Sequence, residues 1–176
     1  MGDRSLKDTL IHDSSVWALA FSPGGRFLAS GSRNGIVRFW NLDDNSRGST
    51  LHNHLKTVSS VTFSPDGQLF ASASHDQTIM LVDLSNKYTI TINSHKDKVN
   101  AIAFSPDSLL LASASSDRTV ELWNTTTRAS KYVLIGHLNE VRVIAFSLDG
   151  QTLASGSSDT SIRLWDVATG ALRGVR

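Results

Sequence analysis

HLNEVRVIAFSLDGQTLASGSSDTSIRLWD, residues 137–166, holds a histidine, an apolar run, a turn, a second run through Ser-Gly-Ser, an aspartate-centred turn and a third run ending in Trp-Asp. The same order of features is written three more times upstream. The histidines are His12, His54, His95 and His137, and nine residues after each stands Phe21, Phe63, Phe104 or Phe146. The third runs end at Trp40, Val82, Trp123 and Trp165. Each series steps by 42, 41 and 42 residues. A fixed period of this size marks one supersecondary unit that stacks on copies of itself.

Within each unit the period is two. The first runs, 16–21, 58–63, 99–104 and 141–146, are rich in Val, Ile, Ala and Phe and have the length of a buried strand. Turns follow: Ser22-Pro23-Gly24-Gly25, Ser64-Pro65-Asp66-Gly67, Ser105-Pro106-Asp107-Ser108 and Ser147-Leu148-Asp149-Gly150. Proline presets φ at the second turn position, and Asp and Gly suit the remainder. The second runs, 27–32, 69–74, 110–115 and 152–157, lead to tight turns at Asn34, Asp76, Asp117 and Asp159. The third runs, 36–40, 78–82, 119–123 and 161–165, alternate apolar and polar residues, so one face of each is buried. Weaker fourth strands are expected near 49–51, 88–92 and 131–135. Residues 9–11 read as the fourth strand of a unit before the first, and 170–175 as that of the last.

The 176-residue chain can enclose one sizeable core, and its 40% apolar, 19% charged composition is that of an ordinary globular protein. Seventeen basic and 16 acidic residues leave a net charge of +1, which gives no reason to expect a nucleic-acid partner. The absence of cysteine removes disulfides, thiolate metal sites and thiol nucleophiles. Apolar runs fall short of the roughly 18 residues of a membrane span, and MGDRSLKDTL at the start lacks a signal-peptide core. A cytoplasmic place is expected, with the nucleus as the alternative, and no membrane partner.

With Gly136-His137, Trp165-Asp166, the Ser-Pro-Asp-Gly turns and the Leu-Ala-Ser-Gly-Ser-x-Asp strand ends, the chain resembles the WD-repeat β-propeller family over about 12–167. The similarity among copies also resembles the repeat arrays of fungal incompatibility-type nucleotide-binding proteins. The resemblance implies an all-β domain spanning 1–176. It would be a propeller or partial propeller of four blades, each of four antiparallel strands, with repeats at about 12–42, 54–84, 95–125 and 137–167.

It also implies a structural network in each blade: the histidine before the inner strand, a serine of the second strand, the turn aspartate and the tryptophan. In unit four these are His137, Ser155 or Ser157, Asp159 and Trp165, and strand pairing favours Ser155. Unit three offers His95, Ser113 or Ser115, Asp117 and Trp123. Unit two has His54, Ser72 or Ser74 and Asp76, but Val82 carries no N–H. Unit one has His12, Ser30 or Ser32 and Trp40, with Asn34 replacing the charged acceptor. Units three and four are therefore expected to be the better locked. The recurrence of His, Ser and Asp in nearly every unit argues against a catalytic triad, since an active site needs one activated nucleophile. His52 and His54 have the spacing of a metal clip but lack a third ligand nearby. The glycines match no phosphate loop. No cofactor, no metal and no enzyme activity are expected.

In this family, partner contacts flank the first valine of strand one and precede the turn aspartate. Those positions hold Ser15, Thr57, Lys98 and Glu140; then Trp17, Ser59, Asn100 and Arg142; then Arg33, His75, Ser116 and Ser158. Trp17 stands outside the repeat pattern of the other tryptophans. The expected contact set is Trp17, Arg33, His75, Lys98, Asn100, Glu140 and Arg142. The expected function is a protein- or peptide-binding scaffold. The alternatives are a regulatory or sensor array within a longer signalling protein and, from another class, an enzyme built on a propeller. Because open strand edges invite association, two further arrangements are expected candidates. One is a homodimer completing an eight-blade ring, with each N-terminal strand finishing the other's last blade. The other is a longer ring from which blades are missing.

Overall fold

A computed structural model describes residues 9–43, 48–93 and 95–176. The first sheet is β1 (Val16–Phe21), β2 (Phe27–Ser32), β3 (Ile36–Asn41) and β4 (Ser49–Asn53). The second is β5 (Val58–Phe63), β6 (Leu69–Ser74), β7 (Ile79–Asp83) and β8 (Tyr88–Ile92). The third is β9 (Val99–Phe104), β10 (Leu110–Ser115), β11 (Thr119–Asn124) and β12 (Ser130–Ile135). The fourth is β13 (Val141–Phe146), β14 (Thr152–Ser157), β15 (Ile162–Asp166) and β16 (Leu172–Val175). Each sheet is an antiparallel meander in chain order. The fold is all-β, four blades of four strands.

Local chemistry places the turns. In blade two the Ser64 hydroxyl donates to Asp66 Oδ1 and accepts the Leu69 N–H at 2.8 Å, while Gln68 N–H donates to Asp66. Gly67, at φ 71°, lets the Gly67 N–H reach Ser64 O. The turn between strands two and three uses the same device. The carboxyl of Asp76, Asp117 or Asp159 accepts the N–H two residues on, from Thr78, Thr119 or Ser161. The intervening residue lies in the left-handed region, at Gln77 (φ 77°), Arg118 (75°) and Thr160 (70°), and Gly35 (87°) takes the same conformation in blade one.

Blades stack through apolar faces. One face of each blade, built on alternate residues of its inner strand, leads into the blade before it. Val99, Ile102, Phe104, Leu111 and Trp123 of blade three pack this way on Ala71, Ala73, Ile79 and Leu81 of blade two. The same arrangement joins blade two to one and four to three. Gly31 makes the first junction possible, because a Cβ there would lie 2.4 Å from Val58 Cγ1.

At the two ends the pattern runs out. Val16, Leu19 and Phe21 are 44%, 61% and 65% exposed, although Val58, Val61 and Phe63, their repeats in blade two, are buried. Ile162 of blade four is half exposed, whereas Val120 of blade three is fully buried. Residues 9–11 form no strand, and Ile11 O accepts from Arg38 Nη1. The fourth place in blade four is filled by β16 of the same chain, which pairs with β15. That occupied place leaves no slot for a strand exchanged from another copy.

A β-branched residue in the left-handed region costs roughly 1–2 kcal/mol. Thr160→Gly is therefore expected to raise the melting temperature, and Gly35→Ala to lower it, since its Cβ would sit 2.1 Å from His54 O. Thermal unfolding followed by circular dichroism separates the two directions.

Candidate partner-binding face and the network beneath it

One serine hydroxyl sits at the centre of each blade's polar network. In blade four, Trp165 Nε1–H donates to Ser155 Oγ at 2.8 Å, and Ser155 Oγ lies 2.8 Å from His137 Nε2. The Asp159 carboxylate can only accept, so the imidazole proton is on Nδ1, which donates to Asp159 Oδ2 at 2.9 Å. Nε2 then accepts from the Ser155 hydroxyl, whose lone pairs take the indole N–H. Asp159 also takes the Leu138 N–H and the Ser161 hydroxyl. Burial alone would raise its pKa, but these bonds from Ser161, Leu138 and His137 outweigh it and hold the carboxyl well below the usual range. Blade three repeats the chain through Trp123, Ser113, His95 and Asp117, with Asp117 likewise depressed.

Blades one and two depart from the set in different ways. In blade one Trp40 Nε1 and His12 Nε2 both lie 2.6 Å from Ser30 Oγ, but Asn34 takes its bond from Ser32. In blade two, where Val82 replaces tryptophan, the structure corrects the expectation of a missing donor. His52, on β4 of blade one, reaches across so that its Nε2 lies 2.7 Å from Ser72 Oγ, and His54 Nε2 lies 2.9 Å from the same oxygen. His54 Nδ1 faces Asp76 Oδ2 at 3.1 Å. With Ser72 donating to His54, its lone pair must accept from His52 Nε2–H. Burial and the neighbouring His54 keep His52 neutral, and with its proton on Nε2 its Nδ1 is bare and buried without a hydrogen-bond partner among the described residues. The pair spaced like a metal clip is turned onto one hydroxyl. The signal was in the sequence: only the unit without tryptophan has a histidine two residues before its repeat histidine, where the others have Leu10, Asn93 and Ile135.

Above the network lies the rim where the inner strands begin. Each inner strand carries a β-bulge at its second residue. The pairing runs Val16↔Ser32 then Ala18↔Gly31, leaving Trp17 extra, and the same slip isolates Ser59, Asn100 and Arg142. Bulges re-aim a side chain. Backbone bonds then bring two other variable positions beside each bulge: Arg33 N to Ser15 O, His75 N to Thr57 O, Ser116 N to Lys98 O and Ser158 N to Glu140 O. Nothing in the alternation of these strands signals the bulges. Trp17 is 58% exposed and meets His75 of the next blade edge-on, ring centroids 6.0 Å apart. Arg33 and Lys98 are exposed. Arg142 pairs with Glu140 at 2.6 Å and donates to Ser158 Oγ. Asn100 faces inward: its Nδ2 donates to Val141 O of the next blade and to Ser116 Oγ.

The model of a family described as IFT122 first beta-propeller matches residues 15–170. The chain belongs to the WD-repeat β-propeller family. It is 44% identical over 69 residues to WD repeat-containing protein SL1-17 of Schistosoma mansoni, covering 39% of this chain and 23% of that one. It is 37% identical over 70 residues to apoptotic protease-activating factor 1 of Homo sapiens, 40% of this chain and 6% of the relative. COMPASS component SWD1 of Saccharomyces cerevisiae is 38% identical over 84 residues, 46% and 20% respectively. The matches thus span less than a quarter of these curated relatives' length.

The rim of this WD-repeat arc is weakly cationic. His75 is held below the usual imidazole range by burial first, then by Lys98 and Arg142, with Asp97 opposing and Lys56 adding to the effect. Beneath it, burial and the neighbouring His54 push His52 down to about 4. Because the unfolded chain binds the proton near the ordinary value, stability from neutral His52 is complete above about pH 6.5 and is lost as pH falls toward 4.

Two outcomes follow for stability. Asp117→Ala is expected to cost about 2–3 kcal/mol, because it removes a charge-assisted bond and strands buried donors; urea unfolding at pH 7 measures it. His52→Gln keeps the donor to Ser72 without a titrating group. It is expected to flatten the acid limb of stability between pH 6.5 and 4, relative to a loss of up to roughly 3 kcal/mol in the parent; melts across that range decide it.

Proposed function

We propose that the chain is a non-catalytic scaffold that holds a protein or peptide partner on the bulged rim. The observation that carries this reading is Trp17: a large aromatic side chain, exposed, at a bulge, at a position where its repeats are Ser59, Asn100 and Arg142. Buried in a partner, an aromatic anchor with neighbouring arginines supplies much of an interface's energy. His75 meets Trp17 edge-on, Arg33 and Lys98 are exposed at rim positions of the first and third blades, and Glu140 with Arg142 extends the rim on the fourth. Asn100 supports this surface by fixing blade four to blade three. The excess of Arg and Lys over Asp97 and Glu140 favours an acidic segment. The network residues serve the fold, and the recurrence of His-Ser-Asp bonding in blades two, three and four favours binding over chemistry.

Relatives whose names include "COMPASS component" and "Chromatin assembly factor 1" support a role within protein assemblies. The second of these names favours the nucleus as a place of action beside the cytoplasm. Among the described residues no helix is long and apolar enough to cross a membrane. A second reading is that these blades form the regulatory or sensor array of a longer signalling protein. It is supported by the small fraction of each relative that the matches span and by the two blade faces left open.

Trp17→Ala is expected to weaken capture of a partner at least tenfold while leaving the melting temperature within about 2 °C, since an exposed substitution away from special features changes stability by under about 0.5 kcal/mol. Affinity capture with the parent and the variant, paired with melts, tests this. A variant that unfolds, or that captures the same proteins equally well, would overturn the assignment of Trp17.

A further inference from the structure

In every blade one residue of the third strand pairs with the network serine: Arg38 with Ser30, Met80 with Ser72, Glu121 with Ser113 and Arg163 with Ser155. The residue after the repeat histidine is Asp13, Leu55, Lys96 or Leu138 in the same order. The first three blades match these two places in chemistry, as opposite charges or as two apolar side chains. Blade four alone sets a cation against a leucine.

In blade one the match is a bond. Arg38 Nη2 donates to Asp13 Oδ2 at 2.5 Å, and Nη1 donates to Ile11 O at 3.0 Å. In blade four Gly136 stands at the place of Ile11, and a Cβ on it would lie 2.7 Å from Arg163 Nη1, so the guanidinium lies against the loop. Among the described residues Arg163 makes no hydrogen bond and no ion pair, and of its nitrogens only Nε is cut off from solvent. The ends of the chain do not account for this. By strand alternation Arg163 shares the face of Trp165, which packs on Ala112, Leu122 and Leu134 of blade three. The neighbouring blade and the loop on that side are both present, and the residue at the place of Asp13 is Leu138.

We infer that this corner of blade four is a carboxylate subsite: the Nη groups of Arg163 take the side chain of an aspartate or glutamate from a protein partner, in the place that Asp13 fills in blade one. A guanidinium fits a planar carboxylate with two parallel N–H···O bonds, which a neutral amide cannot match. The flanking residues set the rest of the partner's chemistry. Ile135 and Leu138, on either side of Gly136-His137, are 76% and 79% exposed, so the fitting segment carries aliphatic residues beside its acid. The loop is already fixed, because His137 bonds Ser155 and Asp159 and the Leu138 N–H donates to Asp159 Oδ2; little ordering is left for binding to impose. The subsite lies on the loop before the inner strand, outside the four bulges, and stands whether or not Trp17 anchors a partner.

The probe is the peptide acetyl-Leu-Glu-Leu-amide, with acetyl-Leu-Gln-Leu-amide as its uncharged match, each titrated into ¹⁵N-labelled protein at neutral pH. The glutamate peptide is expected to move the N–H signals of Gly136, Leu138 and Arg163 Nε saturably, with half-saturation at or below roughly 10 mM. The glutamine peptide is expected to bind about tenfold more weakly or worse. Arg163→Met installs the residue that blade two has there and is expected to abolish the response. Leu138→Asp rebuilds the blade-one pair, so the chain's own carboxylate competes, and binding is expected to fall by about tenfold. Leu138 is exposed, so this variant is expected to stay folded, and melts check both proteins. The inference is overturned by a parent with no saturable shift, by equal binding of the two peptides, or by shifts that avoid Gly136 and Leu138. A folded Leu138→Asp protein that binds as tightly as the parent overturns it as well.

Discussion

A hydroxyl that must give one proton and take another governs each blade. Asp159 can only accept, so His137 gives it the Nδ1 proton and is left to accept at Nε2 from Ser155, whose lone pairs take the indole N–H of Trp165. The direction of every bond is therefore set from the two ends that cannot reverse, the carboxylate and the indole. A buried hydroxyl without partners would cost a few kcal/mol, so the chain of bonds ties the second and third strands, the turn between them and the loop before the first strand into a single conformation. The loop that it fixes is the one that presents the rim. Rigidity at the rim and satisfaction of the buried serine are consequences of the same bonds.

Much of this was legible in the amino-acid order. The alternation of apolar residues, the Ser-Pro-Asp-Gly turns and the 41- to 42-residue steps specify strand, turn and repeat, and the structure reproduces their boundaries almost residue for residue. Strand pairing also distinguished Ser155 from Ser157: Ser155 faces His137 and Trp165, whereas Ser157 donates to Asn139 O and accepts the Asp159 N–H. What escaped notice depends on three dimensions. Whether a strand bulges is set by the fit of its backbone to a partner, and residues 16–21 alternate as cleanly as a regular strand. Residues 9–11 have strand-like composition but form no strand, because composition alone does not supply the backbone pairing that a strand needs. The donor in blade two escaped because it comes from a different blade, so counting within the unit could not reveal it.

The rim divides labour among equivalent positions. The four bulges hold Trp17, Ser59, Asn100 and Arg142. Ser59 and Asn100 turn inward and bond the next blade's backbone, so the two middle bulges work as joints. Trp17 leans on His75 yet stays open to solvent, and Arg142 pairs with Glu140 and Ser158 of its own blade. Variation among copies is thus of two kinds: small polar side chains where blades meet, large or charged ones where a surface faces outward.

His52 carries a consequence for how the array comes apart. In repeat proteins, stability is approximately the sum of each unit's own stability and the coupling between neighbours. The bonds of blades three and four around Ser113 and Ser155 are closed within the blade and add to the first kind. In blade two the donor to Ser72 belongs to the outer strand of blade one, so the same bond is counted in the second kind. Blade two cannot complete its interior until its neighbour has formed, and blade one cannot release β4 without opening that interior. The polar network of the first half is therefore coupled across a blade junction, whereas the networks around Ser113 and Ser155 close within their own blades.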